Sequence, residues 1–228
     1  MGKFLVGWGM VLALSVAWGQ ADESDLYDCL PTDLKVQTLI FSGPDGTRLR
    51  GVMLGEGQSG VVFSNESGNE ACRWIGFART LVGVGYRVFL YTYGSTRREE
   101  DTTAAVAEMG RRGVKRIILV GASQGAKTSI IAASRKLPGV VAAVTLSAEE
   151  FMASQDIKPF AARLELPVLF VTAERDAFGA NRAALLFYRL APSKEKQLLV
   201  MPGSAHGTQL LKDAGLVRRV LGFINAHR

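Results

Sequence analysis

The sequence predicts an α/β fold, in which a mostly parallel β-sheet is covered by helices on both faces. From residue 60 onwards, short runs of Val, Ile and Leu alternate with longer segments whose apolar residues recur every three to four positions. Such runs form strands that are buried on both faces, which is typical of parallel sheets. The chain has 228 residues, of which 48% are hydrophobic, and these values suit one packed domain. They exclude a disordered, a collagen-like or a disulfide-dense chain.

Residues 1–21 are predicted to be a secretory signal peptide. Lys3 precedes an uncharged apolar run over residues 4–18, and small residues follow before the first acidic residue, Asp22. The run is shorter than the roughly 20 residues that a membrane-spanning helix needs, and no later run is long and apolar enough. We therefore expect a secreted or periplasmic protein without stable membrane insertion, in which residues 22–35 form an N-terminal tail and residues 36–228 a single domain.

Charge and cysteine content narrow the range of partners. The formal net charge is +6, but the basic residues are scattered and no basic face interleaved with aromatic residues appears. Nucleic acid is therefore not an expected partner. The two cysteines, Cys29 and Cys72, are expected to form a disulfide bond in an oxidising compartment, the alternative being two unrelated thiols. Two His and two Cys without ligand spacing predict no metal site.

The predicted elements follow one another in a regular order. Residues 36–42 and 48–54 are β-prone and flank the turn Gly43-Pro44-Asp45-Gly46, which predicts an N-terminal antiparallel hairpin. Further strands are predicted over residues 60–64, 87–91, 116–120, 140–147, 167–172 and 197–201. Helices are predicted over residues 72–84, 101–112, 124–136, 179–190 and 208–226. Residues 148–166 leave room for a helix and a loop but not for a cap domain.

One turn carries a candidate nucleophile. Residues 121–125 read Gly-Ala-Ser-Gln-Gly, a G-x-S-x-G motif between a predicted strand and the helix that begins at Gln124. In this setting the sharp turn strains Ser123 and raises its hydroxyl above the sheet, while the two glycines let strand and helix pack closely. The backbone N–H of Gln124 then points to where an oxyanion would form.

The same residues nearly match a phosphate-binding loop. Residues 121–128 differ at one position from G-x-x-x-x-G-K-[ST], because Ala126 stands where the glycine before the lysine belongs. That glycine lets the backbone wrap the phosphates, so its absence disfavours a nucleotide-binding function. In the favoured interpretation Lys127 and Thr128 are ordinary helix residues.

The composition limits the choice of a base. The chain has two histidines, and His227 is the penultimate residue. His206 lies in a loop between the last strand and the last helix, from which it can reach back over the sheet to Ser123. A lone histidine in a loop is often a solvated side chain, but the nucleophile motif upstream favours a catalytic role here.

The acid that orients this base is expected at the end of a strand between the two, since the motif goes with the chain order Ser, Asp or Glu, His. Asp176 lies just beyond the penultimate strand and is the first choice, with Glu174 as the second. Glu149 and Glu150, after the preceding strand, are the remaining candidates. The acid would hold the tautomer of His206 and stabilise its cation.

A second oxyanion donor is expected in the loop after the strand over 60–64. Its first residues, Asn65 and Glu66, lack the glycine-rich motif of many esterases, so a backbone N–H near them is the candidate donor. The alternative is a polar surface loop. Arg97 and Arg98 follow another strand at the same edge and are interpreted as a solvated pair rather than as a site for an anionic acyl group.

From residue 36 to the C-terminus the chain resembles the α/β-hydrolase superfamily. The resemblance rests on GASQG at 121–125, TAERD at 172–176 and PGSAHG at 202–207, which occur in this order at the ends of predicted strands. Its length is similar to that of small dienelactone-hydrolase-like and esterase-like members. Many dienelactone-type members use cysteine as nucleophile, where this chain has Ser123. Many members also have His-Gly where it has Asn65-Glu66.

Together these residues predict a secreted serine hydrolase that cleaves an ester or related acyl bond through an acyl-enzyme, with no cofactor. Ser123 would attack the acyl carbon, His206 would take its proton, and Asp176 would orient His206. Without a cap domain, the pocket is expected to be shallow and to suit a small-molecule ester. The alternatives are a non-catalytic binding module on the same fold and the nucleotide-binding function. The sequence leaves the oligomeric state open.

Overall fold

The computed structural model describes residue 26 and residues 29–68 and 70–228 of the chain. The predicted signal peptide, residues 1–21, lies outside the described residues, as does most of the tail before Cys29. Among the described residues, no helix is both long enough and apolar enough to cross a membrane.

In the described part of the chain, eight strands form one central sheet and two very short strands form a separate hairpin. The strands are β1 (Val36–Ser42), β2 (Arg48–Leu54), β3 (Ser59–Ser64), β4 (Arg87–Tyr91), β5 (Arg116–Ala122), β6 (Val140–Leu146), β7 (Phe151–Met152), β8 (Gln155–Asp156), β9 (Val168–Ala173) and β10 (Lys196–Met201). The order across the central sheet is β1-β2-β4-β3-β5-β6-β9-β10. β2 pairs in antiparallel fashion with both β1 and β4, and the strands β4, β3, β5, β6, β9 and β10 pair in parallel. The predicted sheet with its antiparallel N-terminal hairpin is therefore confirmed.

Helices cover both faces of the sheet. They are α1 (Ile75–Gly83), α2 (Arg98–Arg111), α3 (Gln124–Ser134), α4 (Lys158–Ala161), α5 (Ala180–Leu190), α6 (Ala214–Ala226) and the 3-10 helices Ala71–Trp74 and Gly207–Lys212. Along β5, Ile117 and Leu119 pack in a core with α2 to α5, whereas Ile118 and Val120 pack in a second core with α1 and α6. This alternation explains why the strand is apolar on both faces.

Two predicted helices are each divided into a 3-10 helix and an α-helix. The helix predicted over 72–84 begins as a 3-10 turn, and the one predicted over 208–226 is interrupted at Asp213. There the Asp213 side chain accepts a 2.7 Å hydrogen bond from the N–H of Leu216. A side-chain cap of this kind starts a new helix, which apolar periodicity alone does not reveal. The other predicted elements agree with the structure apart from small shifts at their ends.

Residues 148–166 contain the hairpin β7–β8 and the one-turn helix α4. The predicted absence of a cap domain agrees with this small segment. The hairpin itself was not anticipated, because strands of two residues leave no periodic pattern in a sequence. This side of the sheet therefore carries a short connection between β6 and β9 rather than a second domain.

A disulfide bond joins Cys29 to Cys72, as predicted, with Cα atoms 5.7 Å apart. It connects the N-terminal tail to the first 3-10 helix. Leu26, just before the bridge, is buried in the core on the α1 side. Arg79 of α1 donates two hydrogen bonds to the carboxylate of Asp33, at 2.6 and 2.7 Å. The tail is thus attached to the domain by a covalent bond, a buried side chain and an ion pair.

Replacing both cysteines with serine is expected to lower the free energy of unfolding by about 4 kcal/mol, because the bridge closes a loop of 43 residues in the unfolded chain. Urea unfolding of the oxidised wild type and of the Cys29→Ser, Cys72→Ser double variant measures the difference. The reduced wild type is the control, and its urea midpoint of unfolding is expected to equal that of the double variant. Equal midpoints for all three samples would contradict a stabilising bridge.

Candidate active site

Ser123 occupies the turn between β5 and α3. Its φ of 50° and ψ of −115° lie in a region that residues other than glycine rarely adopt, and such strain persists only where packing enforces it. A Cβ atom at Gly121 would lie 2.1 Å from the carbonyl oxygen of Gly125, and one at Gly125 would lie 2.0 Å from that of Ser64. Both positions therefore require glycine, which agrees with the close packing that the motif predicts. Ser123 consequently stands at the carboxyl end of β5, at the N-terminus of α3.

His206 is paired with Asp176. The side chain of Asp176 lies just beyond β9 and is fully buried. Its Oδ2 atom lies 2.8 Å from Nδ1 of His206, and Oδ1 accepts the backbone N–H of Phe178 at 3.0 Å. Because an ionised carboxylate only accepts, this contact assigns a proton to Nδ1 of the imidazole. Glu174, the second choice for the acid, is exposed.

Glu149 lies between Ser123 and His206. The Ser123 hydroxyl donates to Oε1 of Glu149 at 3.1 Å, and the same oxygen lies 3.5 Å from Nε2 of His206. Within the part of the chain that the structure describes, Ser123 makes no direct hydrogen bond to His206. The structure thus brings together the three residues predicted as a triad, with a carboxylate between two of them. Glu150, the neighbouring candidate acid, pairs instead with Lys158.

Lys127 forms an ion pair with Oε2 of Glu149 and donates to the carbonyl of Phe151 at 3.0 Å. Its side chain is only 10% exposed. The interpretation of Lys127 as an ordinary helix residue is therefore wrong, because it is buried beside the candidate nucleophile. Its ammonium group is engaged by protein oxygens, which is unlike the open lysine of a phosphate-binding loop.

Asn65 holds the loop after β3 through its side chain. The buried amide donates to the carbonyl of Tyr91 at 2.6 Å and accepts the indole N–H of Trp74 at 3.1 Å. The Tyr91 hydroxyl in turn contacts the hydroxyls of Ser64 at 3.0 Å and Thr102 at 2.7 Å. Burial raises the pKa of the Tyr91 phenol well above its usual value, so the group stays a protonated donor. This buried network holds the loop after β3 against β4 and the first 3-10 helix. It was not predicted from the sequence.

Glu66 links the loop after β3 to the loop that carries His206. Its carboxylate accepts the backbone N–H of Thr208 at 2.6 Å and also the Thr208 hydroxyl, while Arg73 lies 3.5 Å away. Gly207 has a φ of 56°, and a Cβ atom there would lie 2.6 Å from Oε1 of Glu66. The side chain of Glu66 is therefore a structural support, and its backbone N–H remains the candidate oxyanion donor.

The other candidate oxyanion donor is the backbone N–H of Gln124. It is the first residue of α3, where backbone N–H groups have no partner within the helix. The Gln124 side chain accepts a hydrogen bond from Arg98, whose guanidinium lies over the ring of Tyr93 at 5.2 Å. The interpretation as a solvated pair is correct for the exposed Arg97, but it is wrong for the half-buried Arg98.

A cavity of about 540 Å³ opens onto Ser123, His206 and Glu149. Phe178 lines it, with its ring centroid 4.6 Å from that of His206, although 67% of the residue is exposed. A larger cavity, of about 730 Å³, lies between α1 and α6 and is not lined by Ser123 or His206. Among the described residues, no group of His, Cys, Asp and Glu side chains is placed to hold a metal ion.

No protein-family model matches the sequence, and no curated protein sequence matches it. Solved structures do match its fold. An esterase from Pyrococcus furiosus has a TM-score of 0.72 and 15% identity, covering 85% of this chain and 93% of that chain. An esterase domain from a Rhodothermus marinus protein has a TM-score of 0.68 and 18% identity, covering 82% and 96%. A dienelactone hydrolase from Anabaena variabilis has a TM-score of 0.64 and 16% identity, covering 85% and 96%. The chain therefore has the α/β-hydrolase fold.

Replacing Gly207 with alanine is expected to lower the reactivity of Ser123 by about 10- to 100-fold, because small displacements of catalytic groups are costly. The new Cβ atom would push away the Glu66 carboxylate that holds the His206 loop. The rate of labelling by a fluorophosphonate, which reacts with activated serines, measures the effect.

Gly203→Ala is the matched control for this substitution. Gly203 also has a positive φ, of 93°, but a Cβ atom there would meet nothing within 4 Å. It shares the backbone strain without the contact to Glu66, so its labelling rate is expected to stay close to that of the wild type. An equal loss in both variants would assign the effect to backbone strain alone.

Proposed function

We propose that this chain is a secreted serine hydrolase that cleaves an ester or a related acyl bond. The observation that carries the proposal is the strained Ser123 at the end of β5, which shares one cavity with a histidine paired to a buried aspartate. The similarity in fold to solved esterases and to a dienelactone hydrolase supports a hydrolase of the ester type.

The proposed reaction has two stages. Oγ of Ser123 attacks the acyl carbon while its proton passes to Nε2 of His206, and the alcohol leaves with that proton. Water then attacks the acyl-enzyme, its proton passes to Nε2 of His206, and the carboxylic acid is released as Ser123 regains its hydrogen. Asp176 keeps the proton of His206 on Nδ1 and stabilises the imidazolium in both stages.

The negative charge that develops on the acyl oxygen requires donors near the N-terminus of α3. The backbone N–H of Gln124 lies at this end, where the helix dipole also favours an anion. The second donor would be a backbone N–H of Asn65 or Glu66, in the loop that the Trp74 and Thr208 contacts hold in place.

The substrate that suits this site is a small ester. The connection between β6 and β9 contributes only a short hairpin and a helical turn, and the cavity beside Ser123 has about 540 Å³. The predicted signal peptide and the Cys29–Cys72 bridge support secretion, because such bridges persist in oxidising compartments.

Ser123→Ala is expected to abolish labelling by a fluorophosphonate, and His206→Gln is expected to reduce it roughly 1,000-fold or more, since the base activates the nucleophile. Mass spectrometry of the labelled protein identifies the modified residue. The matched control is His227→Gln, because His227 contacts the Phe223 carbonyl at 2.7 Å and lies directly after α6, not in the site. Persistent labelling of the Ser123→Ala variant would contradict the proposal.

Short acyl chains are expected to be cleaved faster than long ones. In a series of p-nitrophenyl esters, we expect kcat/KM for acetate and butyrate to exceed that for palmitate by about tenfold or more, because a small open cavity cannot enclose a long chain. The rates of hydrolysis, measured at ester concentrations below those at which micelles form, give kcat/KM for each ester. If kcat/KM instead increased with acyl-chain length up to palmitate, the site would have to bind an extended acyl chain.

A further inference from the structure

The Ser123 hydroxyl has a partner that the proposed mechanism does not use. Its hydrogen is donated to Oε1 of Glu149 at 3.1 Å, while Nε2 of His206 lies 3.5 Å beyond that oxygen. Before His206 can remove the proton, the hydroxyl must leave the carboxylate. A hydrogen bond to an ionised group is roughly twice as strong as one between neutral groups, so this step has a cost.

Glu149 is held in this place by the backbone and by charge. Ser147, directly after β6, is buried and has a φ of 54°, an unfavourable value for a residue other than glycine. Its N–H is bound to the carbonyl of Val171 at 2.8 Å, which fixes the turn. The carboxylate that follows is 19% exposed and pairs with the nearly buried ammonium of Lys127. The strained turn at Ser147 and the ion pair with Lys127 together hold the Glu149 side chain in one position.

Glu149 uses its two carboxylate oxygens for different partners. Oε2 forms the ion pair with Lys127, while Oε1 accepts the hydrogen bond that the Ser123 hydroxyl donates. In the proposed mechanism the imidazole of His206, oriented by Asp176, is the proton acceptor for the attack. Glu149 and His206 therefore compete for the same hydrogen.

We propose that Glu149 is the resting-state partner of the nucleophile and that it withholds the Ser123 hydrogen from His206 until an acyl substrate displaces the carboxylate. This inference rests on the proposed serine-hydrolase function. The leaving group of an ester must reach the space between Oγ of Ser123 and Nε2 of His206, which Oε1 of Glu149 occupies at rest. Substrate binding therefore has to move Glu149, and a reagent too small to do so reacts slowly.

The test is the second-order rate of labelling by a small alkyl fluorophosphonate. In this reaction Oγ of Ser123 forms a bond to phosphorus, fluoride leaves, and the serine proton passes to Nε2 of His206. Glu149→Ala is expected to be labelled about tenfold faster than the wild type, because the competing acceptor is gone. Glu149→Gln is expected to gain about threefold, since an uncharged amide oxygen accepts more weakly.

Two further variants separate this role from a structural one. Glu149→Ala leaves the Lys127 ammonium buried without its partner, which threatens the fold. The double variant Lys127→Met, Glu149→Ala removes both charges and is expected to show the same gain of about tenfold in labelling rate.

Glu150→Gln, which changes the next carboxylate along the chain, is expected to be labelled at the wild-type rate, because Glu150 pairs with Lys158. A damaged fold lowers a labelling rate, so a gain cannot arise from damage.

The possible outcomes separate this inference from the proposed function. Faster labelling at Ser123 in Glu149→Ala or in the double variant supports both the resting-state role of Glu149 and the serine-hydrolase function. If the wild type is labelled at Ser123 but both variants react at the same rate or more slowly, the resting-state role is overturned and the hydrolase proposal stands. If no variant and no wild-type protein is labelled at Ser123, both fail.

Discussion

The close approach of β3, β5 and α3 is the constraint on which the site depends. The carbonyl of Ser64 lies where a side chain at Gly125 would be, and the carbonyl of Gly125 lies where one at Gly121 would be. With these backbones in contact, the chain has no room for a gradual turn between strand and helix. Ser123 is therefore driven to a positive φ, which brings its hydroxyl and the first N–H groups of α3 to the same edge of the sheet.

That Ser123, Asp176 and His206 lie close together was predictable because of how parallel sheets are built. The carboxyl ends of parallel strands meet at one edge, so residues just beyond β5, β9 and β10 are brought together although they are far apart in the sequence. The apolar runs that mark these strands are clear because both of their faces are buried. Ser123, Asp176 and His206 each follow such a run. For the same reason all eight strands of the central sheet were predicted, although not their order, whereas the two-residue strands of the β7–β8 hairpin were not.

The contact between Glu149 and Ser123 could not be predicted in this way. Glu149 and Glu150 are neighbours with the same charge, and one of them reaches the nucleophile while the other pairs with Lys158. Both follow Ser147, whose positive φ no sequence pattern marks, since serine is not a residue that favours this conformation. Lys127 was misjudged for a related reason. Helical spacing shows which face of a helix a residue occupies, but not that the carboxylate of Glu149, from the loop after β6, pairs with it.

The disulfide bond contributes to the site as well as to the stability of the chain. Cys72 lies in the 3-10 helix whose next two residues, Arg73 and Trp74, contact Glu66 and Asn65. Those two residues begin the loop beside Ser123, and Glu66 continues the connection to the loop of His206. A bridge that restricts this short helix therefore restricts both loops around Ser123. Among the described residues the connection between β6 and β9 is short, so ties of this kind to the N-terminal tail help to hold the loops around Ser123 in place.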